Sequence, residues 1–152
     1  MVQSNLQTLI LCTYYTMKDN DLAMSKDIKT VLQGMQPEYF EPHNLILNFD
    51  GNGRIFKLAL RALKKESASL FTELDEALEA GEALRIRELA HKFKGSALTF
   101  AADKLTQQLL LIMALADQGD LVNIDQPIKH ARDNYYLLIA ELDKLNDKLS
   151  EA

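Results

Sequence analysis

The sequence predicts an all-α protein, an antiparallel up-down-up-down four-helix bundle preceded by one or two short N-terminal helices. Three observations lead there. Four long segments repeat apolar residues at steps of three and four, the spacing that lines one face of an α-helix. Short glycine- and proline-marked connections separate them, and consecutive helices joined that tightly pack antiparallel. No stretch alternates apolar and polar residues as a half-buried strand would, and no internal repeat competes. The 152 residues suit one domain, 47% hydrophobic content can fill its core, and 26% charged residues are ordinary for a soluble chain.

Residues 1–39 read as an N-terminal extension with a short helix, and residues 40–149 as the bundle domain. Met1 to Asn20 contains the apolar run Leu9-Ile10-Leu11-Cys12, interrupted by Thr13, Tyr14 and Tyr15. A bilayer span takes roughly 20 apolar residues, so this run is too short. It has neither a basic stretch before it nor a clear small-residue cleavage site, which argues against a secretion signal. Met24-Ser25-Lys26 could serve as an alternative start, and no function is assigned to the segment. From Asp21 to Met35, Ile28, Val31, Leu32 and Met35 form a short amphipathic helix ended by Gly34 and Pro37. A second short helix begins at Pro42, which suits a first helical position, and runs through Leu45, Ile46 and Leu47. His43, in its first turn, has no acidic or cysteine partner at ligand spacing and is expected to be an ordinary exposed residue.

Asn48 to Ile55 imitates part of a calcium loop. Asp50 and Asn52 fall at the third and fifth ligand positions, Gly53 at the sharp turn and Ile55 at the buried apolar position. The twelfth position is Ala59 instead of a bidentate glutamate, and the first is Asn48. One carboxylate is too few, so a plain loop and helix start are expected, with no metal.

Arg54 to Ala80 is a long helix with Phe56, Leu60, Leu63, Leu70, Leu74 and Ala77 on a stripe that Ser67 alone interrupts. At about 1.5 Å per residue it is roughly 40 Å long, which suits a bundle. Gly81 stops it and turns the chain into the next helix. There Ile86, Ala90, Phe93, Ala97 and Phe100 define the buried face. A third helix carries Leu105, Leu109, Ile112 and Ala116 and ends before Gly119-Asp120. Leu110, Leu111 and Met113 widen its apolar face, which suggests a central, largely buried position with Met113 filling gaps. Asp125-Gln126-Pro127 then signals an N-cap. Ile128, Ala131, Tyr135, Leu138, Leu142, Leu145 and Leu149 make the last helix the most regular of all. His130 lies beside that stripe among Lys129 and Arg132, where a structural role is expected.

The second bundle helix carries the chemistry. With Ile86 at zero and about 100° per residue, Ala90, Phe93, Ala97 and Phe100 fall within about 40°, whereas His91 falls about 140° away. His91 therefore points outward. Around it on the outer surface come Leu84, Gly95 and Leu98, with Arg87 and Lys94 on one flank. Neutral imidazole is a nucleophile near pH 7 and can hold a transferred group covalently. A phosphoryl group is the natural cargo. Lys94, one turn after His91, can place an ammonium beside its oxygens, and Arg87, one turn before, could do the same. Gly95 costs roughly 1 kcal/mol in mid-helix against alanine, and it removes a side chain where a donor's backbone must approach. Glu88 is placed to pair with Lys92 at i+4.

This run, His91-Lys92-Phe93-Lys94-Gly95-Ser96-Ala97 followed by Phe100-Ala101-Ala102 and Leu105, resembles the signature of histidine-containing phosphotransfer (HPt) domains. In that signature a helix carries His-x-[apolar]-Lys-Gly-[Ser/Ala]-[Ala/Ser], then an apolar-small-small triplet and a leucine. The resemblance extends back through Leu74, Ala77, Gly81, Leu84 and Leu89, forward to Gly119-Asp120, and covers the chain from about Phe40 to Leu149. Two departures stand out. Phe100-Ala101 replaces the usual Leu-Gly, a conservative change. Family members often also have a glutamine on the following helix that reaches the active histidine; the matching place here falls near Met113, with Gln107 and Gln108 more than a turn earlier, which leaves that contact open.

The resemblance implies a phosphorelay intermediate. Nε2 of His91 would accept a phosphoryl group from a receiver-domain aspartate of a hybrid sensor kinase and pass it to the receiver of a response regulator. Lys94, Gly95, Ser96 and Arg87 would support the phosphate, although Ser96 lies nearer the core flank. Leu84 and Leu98 would form the apolar docking surface. The receiver would supply the acidic pocket and Mg²⁺, so the chain itself is expected to need no cofactor. With no Gly-x-x-x-x-Gly-Lys-Ser/Thr loop and no magnesium-binding carboxylate cluster, it should carry phosphohistidine without using ATP or acting as an autokinase. A non-catalytic helical adaptor using the same surface is the alternative. A general-base enzyme would need a pocket that an outward, convex surface does not provide. Net charge −5 and pI near 5.2 offer no basic footprint for nucleic acid or anionic membrane. The single Cys12 excludes an internal disulfide and fits a reducing cytoplasm, where a free-standing monomer is expected.

Overall fold

The computed structural model describes residues 27–150 of the chain. The Leu9-Ile10-Leu11-Cys12 run, the Met24 start and Glu151-Ala152 lie outside the described residues. Those described contain six α-helices and no strand: α1 (Ile28–Leu32), α2 (Pro42–Asn48), α3 (Gly53–Glu79), α4 (Ala83–Thr99), α5 (Asp103–Asp117) and α6 (Asp125–Ser150). Each of the four long helices packs on two of the others, α3 and α5 both touching α4 and α6. Helices α4 and α6 are thus on opposite sides of a helical bundle. Polar pairs fix the register of α3 against α6. Asp75 meets Arg132 at 2.7 Å, Lys64 meets Asp143, and Lys57 meets Ser150 at 2.6 Å, so the two run antiparallel. Among the described residues no helix is long and apolar enough to cross a membrane.

The helix starts and stops have local causes. The Asn52 side chain accepts the backbone N–H groups of Arg54 and Ile55, both at 3.0 Å, and so begins α3. The Glu41 carboxylate does the same for α2 at His43 and Asn44. Helix α3 ends with Gly81 at φ +69 while the Glu82 N–H reaches back to the Ala77 carbonyl at 2.9 Å. Helix α5 closes in the same way through Gly119 and the Asp120 N–H. Helix α4 uses this closure too, with the Ala102 N–H on the Ala97 carbonyl at 2.9 Å, but the left-handed residue is Ala101 at φ +55. A side chain there costs about 1–2 kcal/mol. Replacing the usual glycine is therefore a strained change, not the neutral one expected. Phe100 has left the helix as its C-cap yet is wholly buried, against Phe49 and Phe56.

Three expectations change. The first short helix is not continuous up to Met35, and the Asp21–Lys26 part of that expectation lies outside the described residues. Asp27 is extended, its carboxylate accepts the Lys29 N–H, and it bridges to Asn52, so α1 starts at Ile28 and stops at Leu32. Asp125 is the first residue of α6, paired with Lys129 at 3.2 Å, and is not its N-cap. Leu110 and Leu111 of α5 are exposed, and of the widened apolar face only Met113 is buried. The pseudo-calcium loop has other employment. Asn48 Nδ2 donates to the carbonyls of Leu98 and Thr99, which ties α2 to the end of α4, and Asn52 is the α3 cap. From Ile28 on, the N-terminal residues share the bundle's core. The Glu38 and Tyr39 N–H groups also donate to the Glu141 carboxylate of α6.

Candidate functional site

Helix α4 is wedged between α3 and α5 by its inner face, where Ile86, Ala90, Phe93 and Ala97 are buried. Phe93 stands edge-on to Phe71 at 5.4 Å between centroids and also meets Tyr135 at 5.4 Å, so an aromatic cluster locks the rotation of the helix. Ion pairs mark the two flanks. Arg85 pairs with Glu76 of α3 at 3.8 Å, and Arg87 pairs with Asp117 of α5 at 2.6 Å. The remaining strip of α4 is the outer surface, and His91 lies on it.

His91 is half-buried, and its Nδ1 is sealed from solvent without a hydrogen-bond partner among the described residues. Access to the ring therefore falls to Nε2. Gly95 sits one turn on, half-buried, with its carbonyl accepting the Thr99 hydroxyl at 3.0 Å. Leu84 is 70% exposed and Leu98 49% exposed, one on each side of His91 along the helix. Lys94, on the same flank as Arg87, enters no ion pair among the described residues. A cation without a partner beside an accessible imidazole nitrogen can bind an oxyanion carried on that nitrogen.

Two expected features differ. Ser96, placed among the phosphate-supporting residues, is 0% exposed and its Oγ is buried, which withdraws it from the outer surface where a phosphoryl group would sit. Glu88 makes no ion pair with Lys92 among the described residues. Lys92 acts on Glu66 of α3 instead, lowering a carboxyl whose pKa burial raises more strongly above the usual glutamate range. The structure also adds residues that the sequence did not place at the site. Asp117 engages Arg87. Leu110 lies one turn before Ala114 and two before Asp117 on the same face of α5, exposed, and Leu47, beside the Asn48 tie to Leu98, is exposed too. The tight Phe100–Ala102 turn sets the register of α5 on α4, and that register is the signal that could have paired Arg87 with Asp117. His43 and His130 are exposed on α2 and α6.

The Hpt domain family model matches residues 59–151 of the chain, from within α3 past the end of α6. Comparison with curated proteins and with solved structures gives no match.

Proposed function

The chain belongs to the Hpt domain family, whose members transfer phosphoryl groups through histidine in two-component signalling, and from that premise we propose that His91 is the phosphoryl acceptor of a phosphorelay intermediate. The observation that carries the reading is the half-buried His91 ring on the outer strip of α4 with Nδ1 enclosed, which leaves Nε2 as the nitrogen to react. Nε2 attacks the phosphorus of a receiver's aspartyl phosphate. A P–N bond forms, the P–O bond to the aspartate breaks, and the partner's carboxylate leaves with its electron pair. No proton has to move, because Nδ1 keeps its hydrogen and the ring takes up the positive charge. Lys94 offsets charge on the phosphoryl oxygens, and Gly95 leaves room for the partner's loop. Leu84 and Leu98 provide apolar contact on both sides of the reacting atom. The receiver supplies the acidic pocket and Mg²⁺. Transfer onward to a response regulator is the same step reversed on a second receiver.

The test incubates the purified chain with a phosphorylated receiver domain and compares it with His91→Gln. Acid-labile, alkali-stable label on the native chain and none on the variant is the expected result. Label that survives the substitution, or a native chain that stays unlabelled by several receivers, removes His91 from the role and leaves a helical adaptor.

A further inference from the structure

Arg87 stands one helical turn before His91 on the outer surface, yet its guanidinium does not face the histidine. Nε forms an ion pair with the Asp117 carboxylate at 2.6 Å, with both side chains well exposed, 40% and 55%. Asp117 is the last residue of α5, and that last turn contains no basic residue. A carboxylate there faces the negative end of the helix dipole, so Arg87 is the group that makes its charge tolerable. Residues four apart on a helix have Cβ atoms about 5–6 Å apart, well within the reach of an arginine side chain.

Resting on the reading of His91 as phosphoryl acceptor, we infer that Asp117 holds Arg87 in reserve: the guanidinium pairs with Asp117 in the unloaded protein and transfers to the phosphoryl group once His91 carries one. The charges set the direction. A phosphoryl group brings about −1.5 to −2 against the single charge of Asp117, and its oxygens accept a guanidinium in bidentate fashion. Exposed ion pairs are weak, so the exchange meets little resistance. When the phosphoryl group leaves, the exposed carboxylate at the helix end draws Arg87 back. Lys94, on the same flank, has no ion pair to exchange among the described residues, while Lys92 faces Glu66 of α3 on the other side and Glu88 is exposed on α4. Arg87 is thus a positioning cation that answers to loading, and Asp117 is its counterweight.

The experiment loads the full chain on His91 with phosphoramidate, a small donor that needs no receiver. It reads the Arg87 Nε–H resonance by ¹⁵N NMR and the acidity of the phosphoryl group by ³¹P titration. Loading the native chain should shift the Arg87 resonance. Asp117→Asn should make the phosphoryl group more acidic by about 1.5- to fivefold, the range of one exposed ion pair. In an Arg87→Gln background the same substitution should lose at least half of that effect. An Arg87 resonance unmoved by loading overturns the inference. So does an Asp117→Asn effect of equal size with and without Arg87, since Asp117 would then act by plain repulsion. Thermal melts of each variant show whether the fold is kept. If receivers fail to load a chain that phosphoramidate does load, the relay reading falls while these resonances still decide the Arg87 exchange. A His91 that accepts from neither source overturns both.

Discussion

Replacing Leu84 by alanine should weaken receiver docking without disturbing the fold, and the size of the loss can be worked from exposure. Full burial of a leucine side chain stabilises by about 1.5–3 kcal/mol. Leu84 has 70% of its surface still open to be covered, so complete covering by a partner is worth about 1–2 kcal/mol, or five- to thirtyfold in affinity. Leu137 supplies the control. It is 46% exposed, but it sits on α6, which packs on the other side of the bundle from α4. Alanine suits an exposed helix position at least as well as leucine, so both variants should melt with the native chain. The assay is single-turnover transfer from a phosphorylated receiver, titrated to saturation. Leu84→Ala should raise the half-saturating concentration with little change in the maximal rate, and Leu137→Ala should change neither. Equal effects from the two, or none from Leu84→Ala, would refute the assignment of this surface as the docking site.

The Ser67 hydroxyl and the Tyr135 hydroxyl form a buried hydrogen bond between α3 and α6, and Ser67 also reaches the Lys64 carbonyl at 3.3 Å. Ser67→Ala strands the Tyr135 hydroxyl and should cost about 1–2 kcal/mol, Tyr135→Phe about 1, and the double variant clearly less than their sum, as urea denaturation would show. Burial raises the Glu66 pKa despite the opposing Lys92 charge, so the folded state holds that proton more tightly than the unfolded chain. Its contribution is therefore fully present below the unfolded value of about 4.3 and is lost as pH rises through the raised folded value. Glu66→Gln should flatten the stability profile over that window and stabilise the protein at neutral pH, measured by melts across the pH range. Asn48→Ala removes the two bonds that tie α2 to the end of α4. It should lower stability by about 1–2 kcal/mol, or several degrees in melting temperature, and should increase hydrogen exchange at the Phe100 amide.

Much of this molecule was legible in one dimension. Period-three-and-four spacing located α3 to within a residue at each end, because the apolar stripe and its stop signal, Gly81, are both local. The outward position of His91 followed from the same periodicity, since a helix that buries Ile86, Ala90, Phe93 and Ala97 has no other place to put it. The family signature then supplied the chemistry. Local rules failed where a residue's partner is distant in sequence. Asp27 reads as an interior residue of a longer helix until Asn52 bridges to it. Ala101 reads as a harmless substitute until the turn demands a left-handed backbone.

The sequence by itself determined the helical class, the helix that bears the histidine and which side of that helix is dry, because each depends only on backbone periodicity and side-chain polarity. Tertiary structure decided which cations are free to act. Arg87 and Lys94 are equivalent on a helical wheel, but the packing of α5 on α4 brings the Asp117 carboxylate to Arg87 and, among the described residues, no ion-pair partner to Lys94. It also decided that Ser96 is enclosed and that Leu110 is not. Charge and burial at a surface are properties of neighbours, and the neighbours are chosen by how one helix rests on the next.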